Sequence, residues 1–271
     1  MVPEVFFLPV ANGQRLCLYY APSGGQPKAA LLYLHPFAEE MNKSRRMAAL
    51  QAQMLAAHGY AVLQIDLHGC GDSSGDFGDA TWQGWIQDVL DAHAWLRKRC
   101  QAPLWLWGLR TGCLLATQAA EQINEPANFL FWQPIASGKQ FLQQFLRLKV
   151  AGELMTGESK GVMAALKQQL ASGQTVEVSG YTLSAALAQG LEEAELLPPP
   201  QSGQLIWLEL STRADATLAP ASLKRLEQWQ GAGYRASSAV LPAPTFWQTT
   251  EIEEAPALLE ATLAALETQA P

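Results

Sequence analysis

The stretch Leu104-Trp105-Leu106-Trp107-Gly108-Leu109-Arg110-Thr111-Gly112-Cys113 decides the fold. Four apolar residues run without a polar break, the mark of a strand buried on both faces. Gly108 and Gly112 bracket a sharp turn, and an apolar helix begins at about Thr111. Such a strand turning at once into a helix is half of a parallel βα unit.

The same rhythm extends in both directions. Upstream, residues 5–10 and 15–20 flank the turn signal Asn12-Gly13 and predict a β-hairpin. Residues 29–34 and 60–65 are continuous apolar runs, hence buried strands. Between them Met47, Leu50 and Met54 recur at helical spacing, and the helix closes at His58-Gly59. Residues 81–99 form a helix with Trp85, Val89, Ala92 and Leu96 on one face, and 129–132 the next strand. From Gly138 to about Ser202 the rhythm changes. Residues 141–154 and 162–170 read as helices, 175–178 as a short extended piece, and Pro198-Pro199-Pro200 closes the segment. The sheet pattern resumes with a strand at 205–210, a helix at 221–230, a strand at 234–241 and an amphipathic helix at 251–267. The expected architecture is α/β, with a mostly parallel, doubly wound sheet. Residues 1–137 and 203–271 make its core, and 138–202 an inserted helical cap.

The chain has 271 residues, 49% of them hydrophobic and 16% charged. That balance suits a folded domain and excludes disorder, collagen and coiled coil. A net charge of -7 argues against nucleic acid or an anionic membrane as partner, because neutralising phosphates needs a surplus of Lys and Arg. No apolar run approaches the ~20 residues of a membrane span. Residues 1–10 contain Glu4 and Pro9 and lack a basic flank, so a cytoplasmic location is expected. Cys17, Cys70, Cys100 and Cys113 are scattered, as reduced thiols are, with no CxxC pair to hold a metal. No metal and no cofactor are expected.

Asp66-Leu67-His68-Gly69-Cys70-Gly71-Asp72-Ser73 resembles the D-x-x-G-x-G-x-S turn after the fourth strand of α/β-hydrolases. His35-Pro36-Phe37 falls where that fold places its oxyanion loop, and residues 108–112 where it places the G-x-S-x-G nucleophile elbow. The resemblance covers nearly the whole chain and implies the hydrolase fold with a cap. More narrowly, residues 35–47 (HPFAEEMNKSRRM), with 107–112 and Gly138-Lys139-Gln140-Phe141, are similar to the second of two hydrolase-like families associated with bacterial exosortase A systems. That resemblance implies a setting of protein sorting and exopolysaccharide production, and a companion exosortase-associated hydrolase as a partner.

Serine-hydrolase chemistry needs a nucleophile, a histidine that takes its proton and a carboxylate that orients the histidine. The elbow carries Arg110, whose guanidinium stays protonated and has no lone pair to attack with. The base belongs in the loop 242–250, yet the last histidine of the chain is His93. Asp215 stands at the acid position, with Glu209 just before it. The best substitute machinery is Ser73 or Cys70 as nucleophile with His68 as base. Thr111 and Cys113 read better as a helix-start donor and a core residue. His58 and His93 read as structural, while His35, at a strand end, is the histidine placed to touch a ligand.

Arginine at the start of a helix adds a planar fork, suited to carboxylate or phosphate, to a terminus that already favours anions. The predicted ligand-binding set is therefore Arg110, Thr111, His35, Phe37, Asp215 and Trp247, and the ligand a small anionic, saccharide or acyl compound. Alternatively Arg110 is paired internally with Glu39, Glu40, Asp215 or Glu251. Arg45 and Arg46 could line the same mouth, and Trp107, Trp132 and Trp247 lie at strand ends where an aromatic wall would suit a sugar or acyl chain. Three functions stay open: a binder that has lost the triad, an acyl-ester hydrolase with a displaced nucleophile, and an interaction scaffold docking through its cap.

Overall fold

A computed structural model of the chain describes residues 2–154, 161–213 and 215–268. The hairpin is β1 (Glu4–Val10) and β2 (Gly13–Tyr20), with Glu4 opposite Tyr19 and Val10 opposite Gly13. There follow β3 (Ala30–Leu34), α1 (Glu39–Ala57), β4 (Ala61–Ile65), a 3-10 turn at Phe77–Asp79, α2 (Trp82–Arg99), β5 (Leu104–Leu109), α3 (Thr111–Ala120) and β6 (Ala127–Trp132). Next come α4 (Gly138–Leu154), α5 (Val162–Ala171), the small hairpin β7 (Val176–Val178) and β8 (Tyr181–Leu183), and α6 (Ala185–Glu193). The chain returns through β9 (Gln204–Ser211), α7 (Pro220–Gly231), β10 (Arg235–Pro242) and α8 (Pro256–Thr268).

The main sheet runs β1-β2-β4-β3-β5-β6-β9-β10. Every pairing from β4 to β10 is parallel, and β2 joins β4 antiparallel. Every residue of β3, β4 and β5 is buried, which is why these strands read as continuous apolar runs rather than as alternation. One core lies between the sheet and α1 and α8. The other holds α2, α3, α7 and the segment between β6 and β9. That segment contains the stretch 155–160, which lies outside the described residues.

The segment is tied to the core by particular groups. Phe37, 1% exposed, meets Phe77, Trp85, Phe141 and Phe145 edge-on, with ring centroids 5.1 to 5.7 Å apart. Tyr181 Oη donates to Glu39 Oε2 at 3.0 Å and accepts from Asn42 Nδ2 at 3.1 Å, joining β8 to the start of α1. Among the described residues no helix is long and apolar enough to cross a membrane.

Candidate functional site

The turn from β5 into α3 is held in a strained shape. Arg110 has φ 57° and ψ -116°, a region that costs a residue with a Cβ about 1–3 kcal/mol. Its N–H donates to Trp132 O at 3.0 Å, and its carbonyl accepts from Cys113 N at 3.1 Å. Gly112 is required by close approach: a Cβ there would lie 2.1 Å from Leu34 O, a backbone atom with nowhere to go. The side chain of Arg110 is thereby lifted over the carboxyl ends of the strands, with Thr111 buried in the first turn of α3.

Glu40 meets it there. Arg110 Nε donates to both carboxylate oxygens at 3.3 Å and Nη2 to Oε1 at 3.1 Å, and both side chains are 14% exposed. Trp247 and Phe141 flank the guanidinium, with its carbon 5.5 and 5.9 Å from their ring centres, an attraction worth about 0.5–2 kcal/mol each. Gln248 lies near enough to Glu40 to act on its carboxyl. Burial pushes the Glu40 carboxyl above the ordinary range, opposed by Arg110 and then by Gln248. The loop 242–250, where a hydrolase carries its base, thus contributes an indole and an amide to an Arg–Glu pair. Among the four carboxylates considered from sequence, Glu40 is the partner. Gln248 was missed, and its only sequence signal is membership of that loop.

Other candidate residues are placed elsewhere or otherwise occupied. Asp215 is exposed and pairs with Arg213 at 3.6 Å, so the acid position is not joined to the elbow. Glu209 is buried on β9 and accepts from Trp207 Nε1 at 2.8 Å. Phe37 is a core aromatic between the sheet and α4. His35, also buried, donates through Nδ1 to Pro36 O at 2.8 Å and accepts the Leu67 N–H at Nε2 at 3.2 Å. Burial lowers its pKa. It lines a cavity of 180 Å³ with Tyr33, Arg45 and Asp66. Arg45 is bound to Asp66 at 2.7 Å and Arg46 to Glu254 at 2.5 Å. Trp132 donates to Thr262 Oγ1 at 2.9 Å, and Trp107 is fully buried.

The residues of the substitute machinery are engaged in holding their turn. Ser73 Oγ donates to Asp66 O at 2.6 Å and accepts the Leu16 N–H at 2.9 Å. Cys70 is buried, and burial raises its thiol pKa well out of the thiolate range. The His68 backbone is clamped between Asp88 and Trp85, its N–H donating to Asp88 Oδ2 at 2.7 Å and its carbonyl accepting from Trp85 Nε1 at 3.0 Å. Its ring nitrogen Nδ1 is buried with no hydrogen-bond partner.

Two solved structures overlay nearly the whole chain. Est1E from Butyrivibrio proteoclasticus, bound to ferulic acid, aligns with a TM-score of 0.67 at 14% identity over 97% of this chain and 98% of its own. A soluble variant of monoglyceride lipase from Saccharomyces cerevisiae gives 0.65 at 14% identity, over 100% and 97%. This is the α/β-hydrolase fold. Residues 17–139 of this α/β-hydrolase-fold chain match the X-Pro dipeptidyl-peptidase (S15) family. The human protein ABHD12B is 33% identical over 117 residues, which is 42% of this chain and 30% of ABHD12B, so the match spans under a third of that relative's length. Within that fold, Arg110 stands in the strained turn between β5 and α3.

Proposed function

We propose that the protein is a non-hydrolysing binder on the α/β-hydrolase fold that takes a small anionic saccharide or acyl ligand at the elbow. The observation that carries this reading is Arg110, raised over the strand ends at a helix start. Its Nε and Nη2 are held by Glu40, and its Nη1 makes no hydrogen bond among the described residues. Glu40 acts as an internal stand-in for the ligand's acid group, leaving the fork when a carboxylate or phosphate replaces it. Trp247 and Phe141 supply the apolar wall beside the fork. The similarity of residues 35–47 to the exosortase A system-associated hydrolases supports a ligand from exopolysaccharide or sorting-linked export, with the companion hydrolase-like protein as partner.

The purified protein is expected to leave p-nitrophenyl butyrate intact and to escape labelling by a fluorophosphonate. It is expected to bind glucuronate or a sugar phosphate in calorimetry, with Arg110→Ala and Arg110→Lys each weakening binding about tenfold or more. Robust esterase activity sensitive to a serine-directed inhibitor would defeat the proposal. A second reading, an interaction scaffold docking through residues 138–202, is favoured by Glu40, Trp247 and Phe141 closing around Arg110. It predicts no stabilisation by any acidic small molecule and unchanged partner capture in Arg110→Ala.

A further inference from the structure

The elbow lies at the carboxyl ends of the parallel strands. At their opposite ends, where β3, β5, β6, β9 and β10 begin, there is a cavity of 550 Å³, within the roughly 300–1,000 Å³ usual for small-molecule sites. The charged side chains lining it are Lys28 and Arg235, and none of its lining residues is acidic, in a chain whose net charge is -7. Arg235 forms no ion pair among the described residues. Lys28 is held at the rim, its Nζ 5.4 Å from the centre of the Tyr60 ring and 3.9 Å from Glu267 Oε1. Lys28 and Glu267 are both about half exposed, so that pair is worth little and does not commit the lysine.

Tyr60 and Trp105, 2% and 4% exposed, back the cavity and close its inner wall with aromatic carbon. The frame is fixed by backbone bonds: Lys28 N to Gly59 O at 2.8 Å, Ala30 N to Pro103 O at 2.9 Å and Arg235 N to Gly203 O at 2.9 Å. Asn128 braces the floor, donating to Leu104 O at 3.2 Å and accepting from Gln204 N at 2.9 Å.

We propose that this cavity is a second binding site, distinct from the elbow, for a small molecule with one acidic group on a flat aromatic or heteroaromatic body. The acid group sits between Lys28 and Arg235, and the body lies against the wall backed by Trp105 and Tyr60. Carboxylate and phosphate share this chemistry, and the probes separate them.

The test is calorimetry on the full chain with 2-naphthoate, adenosine monophosphate, inorganic phosphate and the neutral 2-naphthalenemethanol. At least one of the first two is expected to bind, with naphthoate marking a carboxylate site and the nucleotide a phosphate site. Inorganic phosphate and the neutral alcohol are expected to bind about tenfold more weakly or not at all. Lys28→Ala and Arg235→Ala should each weaken binding about tenfold. Glu267→Gln should tighten it by removing a competing carboxylate. Arg110→Ala is expected to remove any heat that comes from the elbow and to leave the heat that depends on Lys28 and Arg235, which separates the two sites. No binding by either acidic aromatic probe up to about 5 mM, equal binding of the neutral alcohol, or loss of binding in Arg110→Ala but not in Lys28→Ala or Arg235→Ala would each overturn the proposal. A fold-disrupting substitution is recognised by its circular dichroism spectrum, and Lys28→Gln and Arg235→Gln then serve in place of the alanines.

Discussion

At the residue scale, Arg110 and Arg15 show what an arginine does in two different settings. Arg110→Ser would put a hydroxyl at the strained turn, yet no histidine follows His93 to take its proton. An unassisted serine is a weak nucleophile. The expected outcome is a folded variant with no gain in p-nitrophenyl butyrate turnover. Arg15 is 1% exposed, and its Nε donates to Asp88 Oδ1 at 2.8 Å. Burial pushes the Asp88 carboxyl up to about 6 despite the bonds from the His68 N–H and Arg15. Arg15→Ala would strand that carboxylate, and the expected loss is about 3–5 kcal/mol at neutral pH, read as a fall in the urea midpoint. The sequence offered Glu40 only as one of four partners for Arg110 and did not show the Arg15–Asp88 pair. The separations of 70 and 73 residues are closed by strand order, which no local pattern encodes. That arginine stands at residue 110 and that no histidine follows His93 was legible, because both are residue identities.

At the element scale, the turn from β5 into α3 is a tight joint. Gly112→Ala would drive a methyl to 2.1 Å from Leu34 O, and β3 cannot yield without moving β4 and β5. Overpacking of this kind costs about 1–3 kcal/mol or more. The expected result is a clear drop in melting temperature, whereas Gly152→Ala, with open space around it, should leave it nearly unchanged. The buried strands were legible because parallel strands covered on both faces are unbroken apolar runs. The segment between β6 and β9 was less so. β8 and α6 escaped because the turn at Ser179-Gly180 is short and because Gly190 interrupts the helical pattern. Gly190 is there so that α6 can reach α2, since a Cβ would lie 2.3 Å from Trp82 Cβ. The last helix begins at Pro256 rather than at 251. Proline suits a first helical turn and restricts the residue before it, so the acidic residues 251–254 stay outside.

At the scale of the whole molecule, stability against pH adds up groups of opposite sign. His35 is buried and neutral, with burial first and Arg45 also lowering its pKa, and with Asp66 and the Pro36 carbonyl opposing. Its ordinary value is about 6.5. Between the lowered folded value and 6.5 the unfolded chain binds more protons than the folded one, so stability rises with pH there. The His35 contribution is therefore fully present above about 6.5 and is lost as pH falls toward the folded value. Asp88 and Glu40 act in the other direction. Their carboxyls are raised, to about 6 for Asp88, so their contribution is present below the ordinary carboxylate pKa of about 4 and is lost as pH rises through the folded value. The total curve of the natural protein mixes these terms, but a difference curve separates them. His35→Gln removes one titration and leaves the carboxylates in place. Urea midpoints measured from about pH 5 to 8 should show the variant less stable at neutral pH, because the Leu67 N–H loses its acceptor at the cost of about 1–3 kcal/mol. The gap to the natural protein should then narrow steadily below about 6.5, as the natural protein alone loses the His35 contribution. A gap constant across that range would mean that the imidazole is not held neutral by its burial between β3 and the Leu67 N–H.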